Sequence, residues 1–260
     1  MTVSQINDVI RSICKEIESG DRSDLTTYRR LAPVYDLLFG EEYDYELQAE
    51  FVQENVSDSE SSKIVEAGCG TGRLLNILAS EHPDDNICGI DLNEQMAELA
   101  CARTEQNTNV NVVCSDILEF DGTYDIVVAF NLLPHFGKNA VENFFRHAFS
   151  LLPDSGALVF DYKDPRNNPD GLYDVWKKET SEFLITARFI TVYEDDQTYY
   201  AVSYEFKNRS TGNQYTTGEL INIYFHQPNE LKKKLRLAGF KSVNVIQGIG
   251  DQSGIVEATR

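Results

Sequence analysis

From Lys63 onward, short apolar runs alternate with segments of helical periodicity, and this alternation restricts the fold more than any other feature of the sequence. The apolar runs are Ile64 to Ala67, Ile87 to Ile90, Val110 to Cys114, Ile126 to Phe130 and Ala157 to Phe160. The helices between them are predicted over Thr71 to Glu81, Asn93 to Thr104 and Lys138 to Leu152. Strands that alternate with helices form a parallel sheet covered on both faces. The sequence therefore predicts an α/β fold.

The alternation stops after Asp161 and resumes near the C-terminus. Tyr162 to Gly171 is rich in Pro, Asn and Asp. Three β-rich stretches follow, at about Phe183 to Tyr193, Tyr199 to Asn208 and Gln214 to Phe225. A helix over Asn229 to Ala238 and strands near Val243 to Ile246 and Ile255 to Ala258 then continue the α/β pattern. We therefore predict an antiparallel β insertion after the fifth strand.

The start of the chain predicts an amphipathic helix. Ile6, Ile10, Ile13 and Ile17 recur at helical spacing behind Ser4, which is a suitable N-cap. We expect this helix to pack as a lid or as a dimer element, so a homodimer is compatible with the sequence.

A strand, three glycines and a helix follow one another in the run from Ile64 to Leu74. Gly68 permits a sharp turn, Gly70 leaves space for a ligand, and Gly72 lets the helix approach the strand. Asp91 ends the second predicted strand, nineteen positions after Gly72 (91 minus 72). A carboxylate at that place accepts hydrogen bonds from both hydroxyls of a ribose.

The spacing of the glycines differs from that of a nicotinamide-binding motif. A GxGxxG motif needs glycine at position 73, where this chain has Arg73.

The segments EAGCGTG, GIDLNEQM, CSDILEF and AFNLLPHF, in this order, resemble the cofactor-binding motifs of class I S-adenosylmethionine-dependent methyltransferases. The resemblance covers roughly Tyr28 to Asp161. It implies a Rossmann-like methyltransferase fold with a mostly parallel seven-stranded sheet, helices on both faces, and S-adenosyl-L-methionine as cofactor. It implies cofactor contacts from Glu66, Ala67, Gly68, Gly70, Gly72, Asp91, Leu92, Met96, Asp116, Ile117, Phe130 and Asn131. In the same family an N-terminal segment with paired tyrosines closes over the cofactor, and Tyr28, Tyr35 and Tyr45 match it.

The organisation expected from these patterns has four segments. They are an N-terminal helical cap over 1–62, a cofactor-binding core over 63–161, the β insertion over 162–226, and a C-terminal helix and strands over 227–260 that complete the core. The insertion is expected to cover the substrate site.

The segment YDLLF, the insertion and the ending INIYFHQPNELKKKLRLAGF resemble amino-sugar N,N-dimethyltransferases and related small-molecule enzymes. The resemblance favours methyl transfer to a small molecule, at an amine nitrogen, with His135 and Tyr35 as catalytic residues. His135 follows the fourth strand and has a near-neutral pKa suited to accepting a proton. Two alternatives stay open: O-methylation of a hydroxyl or carboxylate metabolite with His135 as base, and a binding module without catalysis.

Charge and composition disfavour several other functions. The formal net charge is -19, which repels phosphate backbones and anionic lipid. The segment from Asn131 to His135 lacks the Asp/Asn-Pro-Pro-aromatic signature of enzymes that methylate nucleic-acid amino groups. No cluster of His, Cys and carboxylate residues has metal-ligand spacing, so no metal is predicted. Met1 to Gly20 lacks a secretory signal and no stretch is long enough to span a bilayer, so a cytoplasmic location is expected.

Overall fold

A computed structural model describes residues 11, 28, 32–56, 61–163, 171–194, 197–249 and 253–260. Its helices are α1 (Tyr35–Phe39), α2 (Tyr45–Gln53), α3 (Arg73–Glu81), α4 (Glu94–Arg103), α5 (Lys138–Leu151) and α6 (Pro228–Ala238). Short 3₁₀ turns span Ala32–Val34, Ile117–Glu119 and Leu133–His135. The helix predicted over Ile6 to Ile17 lies outside the described residues, apart from Arg11.

Eleven strands lie within the described part of the chain. They are β1 (Lys63–Ala67), β2 (Asn86–Asp91), β3 (Val110–Cys114), β4 (Ile126–Ala129), β5 (Ala157–Lys163), β6 (Gly171–Glu179), β7 (Phe183–Glu194), β8 (Gln197–Asn208), β9 (Gln214–Ile223), β10 (Ser242–Ile249) and β11 (Ser253–Thr259).

Seven of these strands form one sheet in the order β10-β11-β5-β4-β1-β2-β3. The pairs among β1 to β5 are parallel, whereas β11 is antiparallel to both β5 and β10. The predicted mostly parallel seven-stranded sheet is confirmed. The strand order reverses between β1 and β4, and ligands of open α/β sheets bind at the carboxyl ends of strands beside such a reversal.

Residues along each central strand face alternate sides of the sheet, and both sides are buried. Val65 and Ala67 join a core cluster with Phe144 of α5 and Leu231 of α6. Ile64 lies on the other side. The second cluster includes Leu74, Leu75, Ile126, Val128 and Val159. These two layers explain why the strands are almost continuously apolar.

Strands β6 to β9 form a separate four-stranded antiparallel sheet. One face packs on Val34, Leu38 and Phe39, through side chains that include Ile185 and Tyr204. Sequence analysis predicted three of these strands and missed β6. The charged residues in GLYDVWKKE conceal its alternation, since only Trp176 among its described side chains joins the core cluster.

The described residues divide into two compact units. One comprises those within Met1–Tyr43 and Asn168–Ile223, and therefore holds the four-stranded sheet. The other comprises those within Asp44–Asn167 and Tyr224–Arg260, and holds the seven-stranded sheet. Among the helices that the structure describes, none has the length and apolar character needed to cross a bilayer.

Candidate functional site

The turn between β1 and α3 is built from three glycines in the left-handed region. Gly68, Gly70 and Gly72 have φ angles of 71°, 53° and 75°, values at which a Cβ is strained. The amides of Gly68 and Cys69 both donate to the Ile90 carbonyl oxygen, at 2.7 and 2.9 Å. These bonds hold the turn to the end of β2.

The surroundings of the three glycines differ. A Cβ at Gly70 would have no atom within 4 Å, whereas one at Gly68 would lie 3.0 Å from Cδ1 of Leu132. At Gly72 a Cβ would lie 2.9 Å from the Ala100 Cα, so the close approach there is to α4 and not, as predicted, between α3 and its strand. Only Gly70 opens onto free space, which leaves a hollow beside its backbone.

Asp91 ends β2 beside this hollow. Its Oδ2 accepts a hydrogen bond from the Gly70 amide and its Oδ1 one from the Asn93 amide, each at 2.8 Å. Burial raises the pKa of this carboxyl group, and the two amide bonds oppose the rise. Each carboxylate oxygen has two lone pairs, so one remains on each oxygen for a ligand hydroxyl.

Glu66 is the second carboxylate at this place. It is only 5% exposed, and its Oε2 is buried without a hydrogen-bond partner among the described residues. Burial, and then the charge of Asp91, raise the pKa of Glu66 well above its usual value. An unsatisfied buried carboxyl oxygen is costly, which makes Glu66 a candidate contact for a ligand that brings a hydrogen-bond donor.

Four of the predicted cofactor contacts follow β2 and β3: Leu92 lies between β2 and α4, Met96 lies in α4, and Asp116 and Ile117 begin the turn after β3. Met96 and Ile117 are 4% and 6% exposed, whereas Leu92 is 74% exposed. The Asp116 side chain caps the 3₁₀ turn by accepting from the Leu118 amide at 2.9 Å. Met96 and Ile117 are therefore buried apolar side chains, Leu92 is an exposed one, and the Asp116 carboxylate is bound to a backbone amide.

A second polar group lies at the same edge of the sheet, on β4 and β5. Glu66 pairs with Val128 of β4, and Val128 pairs with Val159 of β5, so these three side chains lie on one face of the sheet. Phe130 and Asp161 each follow by two residues and therefore lie on the same face. Ala67 precedes the glycine turn and is fully buried on the opposite face. Phe130 is buried at 5% exposure.

Asp161 belongs to β5 rather than to the loop after it, which corrects the predicted end of that strand at Phe160. Its Oδ1 accepts from the Asn131 amide at 2.6 Å. Asn131 has a left-handed φ of 57°. Burial raises the pKa of Asp161 to about 6, against the lowering effects of the Asn131 amide and of Lys163. Alternation along β5 places Asp161 and Lys163 on one face of the sheet.

His135 closes the 3₁₀ turn after β4. Its side chain is exposed, yet enough protein surrounds the ring to lower its pKa to about 4, with the Lys163 ammonium adding to the effect. Its imidazole is neutral at pH 7 and has a nitrogen able to accept a proton.

The three predicted tyrosines lie in different units. Tyr28 and Tyr35 pack edge to face with ring centroids 5.8 Å apart, in the unit with the four-stranded sheet. Tyr45 begins α2 in the other unit, where the Arg73 guanidinium lies 5.0 Å from its ring centroid. Closure of these residues over a cofactor stays a prediction, as does the catalytic role of Tyr35.

No group of three or more His, Cys, Asp or Glu side chains in the described part of the chain is placed to hold a metal ion. The two groups at the sheet edge are Glu66 with Asp91, and Asp161 with His135. Asp91 and Asp161 each accept a backbone amide, whereas Glu66 has one oxygen without a partner among the described residues. Their arrangement suits an organic ligand with donors and positive charge.

Comparison with known proteins agrees with this geometry. Residues 64–156 match the family model of the methyltransferase domain. The chain is 33% identical over 115 residues to a malonyl-[acyl-carrier protein] O-methyltransferase from Bacillus cereus, a match covering 42% of this chain and 40% of that protein. The chain thus spans less than half the length of this curated relative.

Two solved structures share the fold over most of their length. The amino pentose methyltransferase CalS10 of Micromonospora echinaspora superposes with a TM-score of 0.74 at 19% identity, covering 87% of this chain and 96% of that one. The sugar N-methyltransferase KedS8 of Streptoalloteichus gives 0.72 at 21% identity, covering 87% and 92%. The chain therefore shares the fold of these enzymes, and its residues 64–156 match a methyltransferase domain.

Proposed function

We propose that this protein transfers a methyl group from S-adenosylmethionine to an amine nitrogen of a small molecule. The observation that carries the proposal is the hollow at Gly70, with the unsatisfied Glu66 carboxyl and the Asp91 carboxyl beside it. Two acids beside open space favour a ligand that carries hydroxyl donors and positive charge.

The residues of the hollow fit this cofactor in their chemistry. The free lone pairs of Asp91 are suited to ribose hydroxyls, and Glu66 to a positively charged group. When bound, S-adenosylmethionine supplies an activated methyl group on a sulfonium. Buried apolar side chains at Met96 and Ile117 are suited to the flat adenine ring.

The acceptor is proposed to lie at the β4 and β5 edge. A neutral amine attacks a methyl carbon without help from a protein nucleophile, so the chain has to orient the amine and exclude water. Asp161 provides a buried carboxyl group and His135 a neutral imidazole at this edge. The amino pentose and sugar N-methyltransferases that share the fold support an amine acceptor.

The second candidate is O-methylation with His135 as general base. A hydroxyl has to lose a proton during the transfer, and the imidazole of His135, which its lowered pKa keeps neutral, is suited to accept that proton. The similar malonyl-[acyl-carrier protein] O-methyltransferase favours this reading. His135→Ala should abolish turnover of a hydroxyl acceptor, whereas an amine acceptor should retain most of its rate.

Cofactor binding is tested by isothermal titration with S-adenosylmethionine, its demethylated product and NAD. We expect the first two to bind and NAD not to bind. Asp91→Asn should weaken S-adenosylmethionine binding by about tenfold or more, equivalent to about 1.4 kcal/mol. The matched control is Asp125→Asn, because Asp125 likewise accepts a backbone amide, that of Lys63 at 2.8 Å, but at the opposite edge of the sheet. Equal loss in both variants would refute the assignment of Asp91.

Catalysis is tested with methyl-labelled cofactor and a metabolite extract, followed by identification of the labelled product. A labelled amine supports the proposal, and a labelled ester or ether supports the second candidate. Binding of the cofactor without transfer to any metabolite would instead indicate a non-catalytic binding module.

A further inference from the structure

The segment that carries His135 is a short turn joining β4 to α5. We name residues 131–136 the His135 turn. Within it the His135 amide donates to the Leu132 carbonyl at 3.0 Å and the Phe136 amide to the Leu133 carbonyl at 2.9 Å. These two bonds form one 3₁₀ turn, which is a short element with weak hydrogen-bond geometry. Contacts from other elements must therefore supply much of its rigidity.

Asp161 holds the first residue of the His135 turn. Asn131 adopts a left-handed conformation, which is less favourable for a residue with a Cβ than for glycine. The 2.6 Å bond from its amide to Asp161 Oδ1 offsets that cost. The carboxyl group is itself fixed on a central strand at 8% exposure, with Lys163 as the charged group beside it.

His226 holds the last residue of the His135 turn. Its Nε2 lies 2.9 Å from the Phe136 carbonyl oxygen and donates to it, since a carbonyl only accepts. The ring is 3% exposed. Burial lowers its pKa, while the carbonyl groups of Phe136 and Leu133 oppose this, with Lys234 and Glu230 as the charged groups nearby.

The middle of the turn is held by the backbone next to His226. The Tyr224 amide donates to the Pro134 carbonyl at 2.8 Å. Every contact in this set lies within the unit that holds the seven-stranded sheet. The His135 turn is therefore tied to β5 at its start and to the segment before α6 at its middle and end.

We propose that Asp161 and His226 are positioning residues, which hold the His135 turn so that the His135 imidazole keeps one fixed place at the acceptor side of the site. The proposal rests on the proposed methyl transfer for its functional meaning. Neither residue needs to touch a substrate, because each acts through the backbone of the turn. Pre-organised placement of this kind is effective, since a displacement of about 1 Å can lower a rate about a hundredfold.

The pKa of the His135 imidazole shows whether the His135 turn keeps its position. Its pKa of about 4 depends on the dense surroundings and on Lys163, so a released turn should let it return toward the value of a solvated histidine, about 6.5. NMR titration of protein labelled at histidine with ¹³C measures this pKa without any acceptor. His226→Phe keeps a buried ring but removes the donor, and we expect the His135 pKa to rise by about one unit or more.

His147→Phe is the matched control for that variant. His147 Nε2 makes the same kind of bond, 2.9 Å to the Phe120 carbonyl oxygen, but away from the His135 turn. The His135 pKa should not move in this variant. An equal rise in both variants would show general loosening of the protein and would overturn the proposal, as would no rise in His226→Phe.

Asp161 supplies a second, independent pair of variants. Asp161→Ala removes the acceptor for the Asn131 amide, whereas Asp161→Asn keeps a carbonyl acceptor of the same shape. We expect the His135 pKa to rise in the alanine variant and to stay near the wild-type value in the asparagine variant. If His226→Phe does not fold, His226→Gln, which keeps a donor, and the Asp161 pair still decide the matter.

The same variants separate this inference from the proposed function. Titration with S-adenosylmethionine should give dissociation constants within about twofold of wild type for His226→Phe. Label transfer should fall about tenfold for a hydroxyl acceptor, which depends on His135 as base, and should stay near the wild-type rate for an amine acceptor. If the wild-type protein binds no S-adenosylmethionine, the proposed function fails, and the titration of His135 still tests the positioning. If the cofactor binds and the His135 pKa is unchanged in His226→Phe and Asp161→Ala, the positioning inference alone is wrong.

Discussion

Gly70 and Gly72 share a left-handed backbone but serve different purposes. The open space beside Gly70 is where we propose that the cofactor binds, whereas the contact of Gly72 with Ala100 joins the glycine turn to α4. Gly212, in the turn between β8 and β9, has a φ of 76° and no atom within 4 Å of a Cβ. A substitution at Gly212 therefore measures the free-energy cost of the backbone conformation alone, without a steric clash of the added Cβ.

Alanine substitutions at these three glycines should separate binding from stability. We expect Gly70→Ala and Gly212→Ala to lose about 1–2 kcal/mol of unfolding free energy from backbone strain. Gly72→Ala should lose more, since its Cβ meets the backbone of α4. Only Gly70→Ala should abolish S-adenosylmethionine binding without a larger loss of stability. Urea unfolding and isothermal titration provide the measurements, and unchanged affinity in Gly70→Ala would contradict the hollow.

Asp161 is a buried carboxyl group that lowers stability as it ionises. Its pKa is raised to about 6 by burial, against about 3.9 in an unfolded chain. The folded state therefore holds the proton more tightly than the unfolded state. Stability falls as pH rises from about 4 to about 6, and the loss then stays constant at higher pH.

The variant Asp161→Asn should remove this pH dependence. It is neutral at every pH and still accepts the Asn131 amide. Relative to wild type, its unfolding free energy should rise between pH 4 and pH 6 by up to about 3 kcal/mol and then stay level. Urea unfolding of both proteins from pH 4 to pH 8 measures the difference. Parallel pH profiles for the two proteins would show that Asp161 ionises normally.

At the level of elements, side-chain N-caps fix where two helices begin. Asn93 Oδ1 accepts from the Gln95 amide at 3.0 Å and the Met96 amide at 3.3 Å at the start of α4. Asp44 Oδ1 accepts from the Leu47 amide at 3.0 Å at the start of α2. Met96, a predicted cofactor contact, lies in the first turn of α4, so we expect the placement of this turn to affect binding as well as stability.

Removing either cap should cost similar stability but have different effects on binding. Asn93→Ala and Asp44→Ala should each lose about 1 kcal/mol of unfolding free energy. Asn93→Ala alone should weaken S-adenosylmethionine binding, because fraying of the first turn displaces Met96. Thermal unfolding and isothermal titration check both effects. The same loss of affinity in Asp44→Ala would mean that general destabilisation, and not the position of Met96, controls binding.

For the whole molecule, the net charge of -19 is the dominant electrostatic property. Carboxylates that repel one another destabilise a compact state, and salt screens this repulsion over a Debye length of about 10 Å at 0.1 M and 3 Å at 1 M. Exposed ion pairs, such as the one between Arg146 and Glu142, add little stability to offset this repulsion.

Added salt should therefore stabilise this protein. We expect the melting temperature to rise between 0.1 M and 1 M potassium chloride by several degrees, as a gain of about 1 kcal/mol produces for a domain of this size. Differential scanning calorimetry gives the shift. A fall in the melting temperature would show that attractive ion pairs outweigh the repulsion.

The periodicity of the sequence was sufficient to place most of the seven-stranded sheet. The apolar runs ending in Ala67 and Asp91, and the alternating helices, follow from burial on both faces, which requires continuous hydrophobicity. Strand β6 was missed because exposed charges interrupt its apolar pattern. The N-terminal helical cap, the covering role of the insertion and a homodimer remain predictions.

The sequence by itself determined the glycine turn and the carboxylate at the end of β2, because both are local consequences of residue type and spacing. Only the tertiary structure decided that Gly72 faces α4, and that Asp161 and His226 meet opposite ends of the His135 turn. These contacts join residues from 28 (100 minus 72) to 90 positions apart. Local periodicity contains no information about such pairs, since they depend on strand order and on how the chain returns to the sheet.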